Sequence, residues 1–415
     1  MNLLIAFISI LFIGQPKPDS LSLQTCYELA RKNYPTYQQL SREQRITSLK
    51  KENTDKLYWP QLNLSGKASY QSDVTSVPMS PIHISKDQYQ TNLQLDQMVY
   101  DGGAVSTQKH LEDVNGNLAR QNVNVSLYQL RNEVNGAYFQ VLLLKKKRKS
   151  LNLMKKQLEK RMQMVQSQVK NGVLLPGSKD VLKAELLKTD QSIDGVKSDI
   201  DAAYNSLGQL IGKTLTSDTK LELPHQLVKT SDMNNWNRPE YKLFNLQLNK
   251  LNVLKNQTKV QYRPNLNAFA EGLYGRPGLN IFKDQFQFNY MVGLRLKWKL
   301  WDWNKGKRER EVLQLQKRNV EENKAAFTKN IKVAVQKDLS DIHKYRSMIG
   351  KDHQIIKLRQ KVEQQSASQL HNGVITPSEY VTDLYSVYQA RLALDEHEIQ
   401  WMMAKVNYLT KTGSK

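Results

Sequence analysis

From Pro60 onward, apolar and polar residues alternate one by one. Leu62, Leu64, Ala68 and Tyr70 stand against Asn63, Ser65, Lys67, Ser69 and Gln71. After a polar stretch holding Pro78 and Pro81, Tyr89, Thr91, Leu93, Leu95 and Val99 alternate with Gln90, Asn92, Gln94 and Asp96. A period of two sends the two sets to opposite faces of a strand, so residues 60–100 are predicted as a β-hairpin with one apolar and one polar face. A second hairpin is predicted over 264–301. There Phe286, Phe288, Tyr290, Val292, Leu294, Leu296, Trp298 and Leu300 alternate with Gln287, Asn289, Arg295, Lys297 and Lys299.

Elsewhere the pattern is helical. Leu23 to Tyr58 reads as one long helix with Pro35 near its start and Pro60 ending it. Two much longer helices are predicted over 102–170 and 303–371, and at 1.5 Å per residue each is a rod of roughly 100 Å. Shorter helices return from Pro176 to Ile211 and from Pro377 to Thr412, a plan that fits coiled-coil-like assemblies rather than a compact domain. Asp101 and Asp302 directly follow strands and are placed to cap the first free N–H groups of the long helices.

These elements occur twice. Pro35 and Pro60 recur 204 residues later as Pro239 and Pro264, and Leu62, Asn63 and Tyr70 recur as Leu266, Asn267 and Tyr274. Leu93, Leu95, Asp101 and the stretch Asn171-Gly172-Val173 recur at an offset of 201, as Leu294, Leu296, Asp302 and Asn372-Gly373-Val374. The change of offset falls in the hairpin loop. The chain is therefore read as an internal duplication: an N-terminal segment 1–20, a first repeat 21–212, a connector 213–235, a second repeat 236–412 and a tail 413–415.

The hairpins raise the question of what covers them. Trp59, Tyr100, Tyr262, Trp301 and Trp303 mark one end of the strands, and Tyr70, Tyr89, Tyr274 and Phe286 the other. Amphipathic strands of about ten residues with aromatic girdles describe a transmembrane β-barrel. The neighbouring helices are too polar to offer an apolar cover. Four strands do not close a barrel, and open edges in lipid are costly, so closure with copies of the same chain is expected, giving 8, 12 or 16 strands.

Composition changes this picture little. The 415 residues carry a net charge of +22 and a mean hydropathy of −0.62. The Lys and Arg residues are spread along the helices, and the nearest thing to a cluster, Lys145 to Lys149, is read as a solvated helix face, with an anion site as the alternative. Leu3 to Ile13 form an apolar run of signal-peptide length without a basic segment before it, so export is expected. The single cysteine, Cys26, is expected as a small buried thiol on the first helix.

With the duplicated plan, "RKNYP" and "NRPEY" opening the halves, the Pro60 and Pro264 turns, "VYDGG" before the long helix and the two Gly-containing reversals, the chain resembles the outer membrane efflux proteins, the TolC family, over about residues 21–412. The resemblance implies a fold that is mainly α with transmembrane β: a trimer whose 12-stranded barrel continues into a long α-helical barrel in the periplasm. It implies a passive exit duct in the outer membrane of a Gram-negative bacterium, joined through a periplasmic adaptor to an inner-membrane pump or secretion ATPase.

The resemblance also assigns sites. Asn171, Gly172, Val173 and Leu174, with Asn372, Gly373, Val374, Ile375 and Pro377, become the periplasmic tips where adaptors dock. Gly suits the left-handed end of a helix and Pro the start of the next. Exposed Val173, Leu174, Val374 and Ile375 would otherwise be apolar side chains in water. Glu379, Thr382 and Asp383 fall nearest the family's acidic pore constriction, where one expected acidic place is filled and one is not. Lys67, Asp96, Glu271, Arg295, Lys297 and Lys299 are candidates to line the barrel lumen.

No enzyme is expected. The seven His residues lack metal-site spacing, and no phosphate-binding loop or nucleophile elbow is present. Met162, Met164, Met402 and Met403 are expected to pack between helices, and no metal or other cofactor is assigned. The competing reading is a soluble coiled-coil scaffold or a basic nucleic-acid-binding rod.

Overall fold

The computed structural model describes residues 20–74, 84–224 and 236–414. The expected signal segment lies outside them, as do Pro78 and Pro81. The elements run β1 (Ser20–Leu21), α1 (Leu23–Asn33), α2 (Gln39–Asp55), β2 (Gln61–Tyr70), β3 (Asp87–Tyr100), α3 (Ala104–Lys170) and α4 (Gly177–Ile211). A short β4 (Lys220–Leu221) follows, and then the plan repeats: α5 (Pro239–Val260), β5 (Asn265–Arg276), β6 (Gln287–Lys297), α6 (Lys305–His371) and α7 (Pro377–Thr412). Helices α3 and α6 are each 67 residues long, as the duplication requires.

The predicted helix over residues 23–58 is broken. Tyr34 is extended (ψ 133°) because the ring of Pro35 disfavours helical backbone in the residue before it. α1 ends there, and α2 resumes after a 3₁₀ turn at Pro35–Gln38. In the second repeat the matching Pro239 opens α5, a place where its missing N–H is not needed.

The chain divides into two compact units, and the boundaries cut both repeats at equivalent positions. One unit holds residues up to Tyr37, Val125–Arg238 and Phe327 onward; the other holds Gln38–Asn124 and Pro239–Ala326. The first unit has a continuous core. Cys26, Tyr138, Leu158, Leu182, Ile200, Tyr204, Leu207, Leu370 and Tyr380 are fully buried in it, and Met162, Met164, Met402 and Met403 pack against it as expected. The parallel pairing of β1 with β4 is clasped by Tyr138, whose hydroxyl lies 2.8 Å from the Leu21 carbonyl and 2.6 Å from that of Glu222.

The second unit has far less interior. Among the described residues its helical part buries a small cluster of Leu111, Val114 and Val253, with Val105 and Val123 buried elsewhere on α3. Its sheet has the order β2-β3-β5-β6, antiparallel throughout, with Leu64 opposite Leu93, Leu95 opposite Ala270 and Ala270 opposite Val292. β2 and β6 are the two edges. Strand β6 stops at Lys297, short of the predicted Leu300, because its partner strand begins at Asn265, after Pro264, which has no N–H for the ladder. Among the described residues, no helix is long and apolar enough to cross a membrane.

Candidate functional site

The sheet exposes the wrong face for a water-soluble protein. Leu64 is 72% exposed and Val292 69%, and Leu62, Leu93, Leu95, Phe288, Tyr290, Leu294 and Leu296 on the same face are open too. On β3 the polar set of Gln88, Gln90, Asn92, Gln94 and Asp96 is half-buried instead, as in a sheet curled about its polar side. Each large apolar side chain left in water forfeits about 1.5–3 kcal/mol. Strands of 11 residues are about 36 Å long and, tilted by about 40°, stand roughly 28 Å tall, which matches the hydrocarbon layer.

Aromatic side chains close both ends of this band. Phe286 stacks on Tyr274 (5.7 Å between centroids) and Tyr89 (6.4 Å) at the loop end, while Trp301 and Trp303 meet edge to face at 5.9 Å at the helix end.

Of the lumen candidates, the strand register puts Lys67, Asp96, Glu271, Arg295 and Lys297 on one face. Arg295 lies 4.0 Å from Asp96, which also accepts from the Gln94 side chain at 2.7 Å. Lys299 is not on the strand but in the segment leading to α6. The alternation did not reveal that Phe269 shares this polar face: it pairs across from Asp96, lies under the Arg295 guanidinium at 4.8 Å and fills the space left by Gly293.

Each long helix starts from a carboxylate. Asp101 accepts from the backbone N–H groups of Gly103 (2.8 Å) and Val105 (2.6 Å), and Asp302 from that of Gly306 (2.9 Å) and from the Tyr262 hydroxyl. Burial opposes the Asp101 charge, but the Val105 and Gly103 N–H groups outweigh it and hold the carboxyl below its ordinary range.

The two helix reversals share one closing geometry. The N–H of Val173 reaches the Gln168 carbonyl (2.9 Å) and that of Gly172 the Val169 carbonyl (3.1 Å), while Val374 and Gly373 do the same toward Gln369 (2.8 Å) and Leu370 (3.1 Å). Gly172 and Gly373 sit at φ 75° and 72°, the left-handed backbone this helix ending needs. The Gln168 side chain donates to the His371 carbonyl at 2.7 Å, so the two reversals are neighbours.

What they present differs from expectation. Val173 and Val374 are exposed, but Leu174 and Ile375 are half-buried against the core and Pro377 is buried, because the chain turns back under its own helices there. Leu175, which the sequence reading passed over, is 80% exposed. It stands where the second reversal has Thr376, and Thr376 forms a capping box: its hydroxyl accepts from the Glu379 N–H (3.3 Å), and the Glu379 carboxylate accepts from the Thr376 N–H (2.7 Å) and hydroxyl (2.9 Å). These bonds, the backbone one first, hold the Glu379 carboxyl below its usual range. The sequence did carry the signal, Thr-x-x-Glu before a helix.

The remaining constriction candidates are also engaged. Asp383 accepts from the Ser366 hydroxyl, and Thr382 donates to the Ser378 carbonyl at 3.1 Å. Beside them Tyr380 is fully buried, its hydroxyl donating to Glu363 (2.8 Å) and accepting from Arg161 (3.2 Å).

Two residues of the basic run are engaged rather than free in solvent. Lys145 donates to the Thr219 carbonyl (2.8 Å), and Lys146 pairs with Asp395 (3.1 Å) and Glu398. Only Lys149 of the five is exposed. Cys26 is fully buried as expected, and burial pushes its thiol up to about 12.

Residues 27–213 match the family described as outer membrane efflux protein. No curated protein matches the sequence. Among solved structures, the outer membrane protein VceC of Vibrio cholerae is similar with a TM-score of 0.69 at 13% identity, covering 94% of this chain and 96% of that one. CusC gives 0.72 at 14% identity (95% and 92% covered), and the Campylobacter jejuni outer membrane channel CmeC 0.68 at 11% (100% and 93%). At these identities the likeness speaks for the fold, which spans both repeats. The first repeat thus carries the sequence pattern of the outer membrane efflux proteins, and the full length has the fold of solved outer membrane channels.

Proposed function

We propose that the chain is the passive exit duct of a tripartite efflux or type I secretion system. Three copies close a 12-stranded barrel in the outer membrane of a Gram-negative bacterium, and their long helices continue the duct into the periplasm. A periplasmic adaptor joins it there to an inner-membrane pump or secretion ATPase. The observation that carries this is the sheet itself, with its apolar face exposed, its polar face turned inward and the outer edges of β2 and β6 unpaired among the described residues. Lipid is the solvent for such a face, and closure with copies is the way to pair such edges. A soluble scaffold or nucleic-acid-binding rod offers no use for it.

The exposed Val173, Leu175 and Val374 suit the adaptor-docking tips, with Asn171, Gly172, Asn372 and Gly373 shaping the turns. Glu379, Thr382 and Asp383, on the first turns of α7, are assigned to the pore constriction beside them. Transport is passive, and no residue is given a chemical step.

The test is fractionation followed by reconstitution. The expected result is an outer-membrane oligomer that resists SDS until heated and conducts ions in planar bilayers. A soluble monomer without conductance overturns the reading. For the constriction, Glu379→Gln with Asp383→Asn is expected to alter conductance and its block by divalent cations; an unchanged channel removes both residues from the gate.

A further inference from the structure

Where the sheet meets the helices, a cavity of about 560 Å³ opens on its polar side, lined by Asp101, Arg263, Lys297 and Lys299 among others. Three of these four charges are positive, and the one carboxylate is already held by two backbone N–H groups at the start of α3. Arg263 donates to the Gly102 carbonyl at 2.9 Å. Lys297 makes no ion pair among the described residues. Lys299 makes no ion pair among the described residues either, and the oxygens of Asp302, three residues on, serve Tyr262 and Gly306.

Higher on the same face, Arg295 and Asp96 offset each other, which leaves Lys67 against Glu271. The surplus of positive charge is therefore local. It collects at the foot of the strands, on two lysines whose ammonium groups have no carboxylate of their own.

We propose that Lys297 and Lys299 form a cationic ring at the foot of the barrel that makes the duct favour anions. This rests on the exit-duct reading, since only closure around a lumen brings copies of the pair to face one pore. Rings of Lys and Arg are a general means of admitting anions. Screening extends about 8–10 Å at 0.1–0.15 M salt, so the two lysines of each copy act on ions that pass within about that distance of the wall. The charge at the helix reversals is constant across the variants proposed below, so it does not confound them.

The experiment measures reversal potential for the full-length protein in planar bilayers under a gradient of KCl. Chloride is expected to be more permeant than potassium, and the Lys297→Gln/Lys299→Gln variant to lower the chloride-to-potassium permeability ratio about three-fold or more. Lys297→Arg/Lys299→Arg is expected to keep the wild-type ratio, which separates lost charge from lost structure. Under a gradient between molar solutions, about 1 M against about 3 M KCl, the difference between variants should collapse, because screening then extends about 3 Å or less. A conducting wild-type channel that prefers potassium, or a Gln variant that conducts with the wild-type ratio, overturns the anion ring and leaves the duct standing. Absence of conductance from every preparation overturns the duct itself and the ring with it.

Discussion

Trp303 and Asn304 hold left-handed backbone, at φ 56° and 63°, where the first repeat has Gly102 and Gly103 at 66° and 91°. The turn from strand to long helix is thus the same in both repeats although its glycines are gone from one. Asn tolerates this conformation, whereas a side chain as large as Trp costs on the order of 1–2 kcal/mol there. Trp303 is exposed and rests on Trp301 at the end of the apolar band, where an amphipathic ring suits a membrane interface. Gly116, on α3, answers to packing instead. A Cβ placed there would stand 2.0 Å from the Thr47 hydroxyl on α2. Gly→Ala inside a helix ordinarily stabilises by about 1 kcal/mol. Here the clash, at about 1–3 kcal/mol for an overpacked contact, reverses the sign. Thermal unfolding in detergent should therefore show Gly116→Ala melting below wild type and Gly136→Ala, whose Cβ meets open space, melting above it. If both variants moved in the same direction, the close approach of α2 to α3 would not be the reason for the glycine. The sequence showed Asp-Gly-Gly ahead of the long helix, and paired glycines there suit a tight turn. It hid Gly116 and the Trp303 turn, since both depend on what lies opposite them in space.

At the scale of elements, the two helix reversals are one backbone device with two different endings. The sequence showed the device, because Asn-Gly-Val with a following Pro has a local cause. It did not show which apolar residues stay exposed: Leu174 and Ile375 turn inward, while Leu175 projects where Thr376 caps α7. Only the second reversal has its helix start held by a carboxylate, and this makes its stability depend on pH in a defined direction. The Glu379 carboxyl is depressed by the N–H and then the hydroxyl of Thr376. Its stabilising effect is therefore fully present above the ordinary Glu range, near about 4.3, and is lost as pH falls through the depressed folded-state value. Amide hydrogen exchange at Ser378–Tyr380, corrected for its intrinsic pH dependence, should be level from about pH 5 to 8 and rise only below about pH 4. Glu379→Gln should remove that acid step. Thr376→Ala should raise exchange at every pH, in line with the loss of a cap worth about 0.5–2 kcal/mol. The matching amides of the first reversal, from Gly177 onward, should show no acid step. A step of equal size there would mean that the capping box is not its source.

For the whole molecule, the second unit is the one that needs company. Its helical part buries little, its sheet shows an apolar face, and the outer edges of β2 and β6 have no partner among the described residues. The duplication and the alternating strands lead to the expectation of closure with copies, since free strand edges are costly to leave unpaired in lipid. The number of copies was not readable, because hairpin pattern fixes which face meets lipid and not how many strands complete the ring. Topology does fix the junction. In an all-antiparallel sheet with an even number of strands, β2 of one copy runs antiparallel to β6 of the next, and every junction is the same. Disulfide trapping tests this cleanly, because Cys26 is buried with its thiol pushed up to about 12 and will not compete. Ser65→Cys on β2 combined in turn with Asn289→Cys or Met291→Cys on β6 places both thiols on the polar face. At least one pair should link copies on mild oxidation, and the products should stop at a closed trimer that heating in SDS no longer separates. Asn92→Cys with Leu273→Cys, opposed within one chain, should give only an internal bond and a heat-separable oligomer. Linked products that climb past three copies would mean that the ring is larger than a trimer or does not close. Failure of every β2–β6 pair, with the internal control oxidised, would mean that these edges are not the junction.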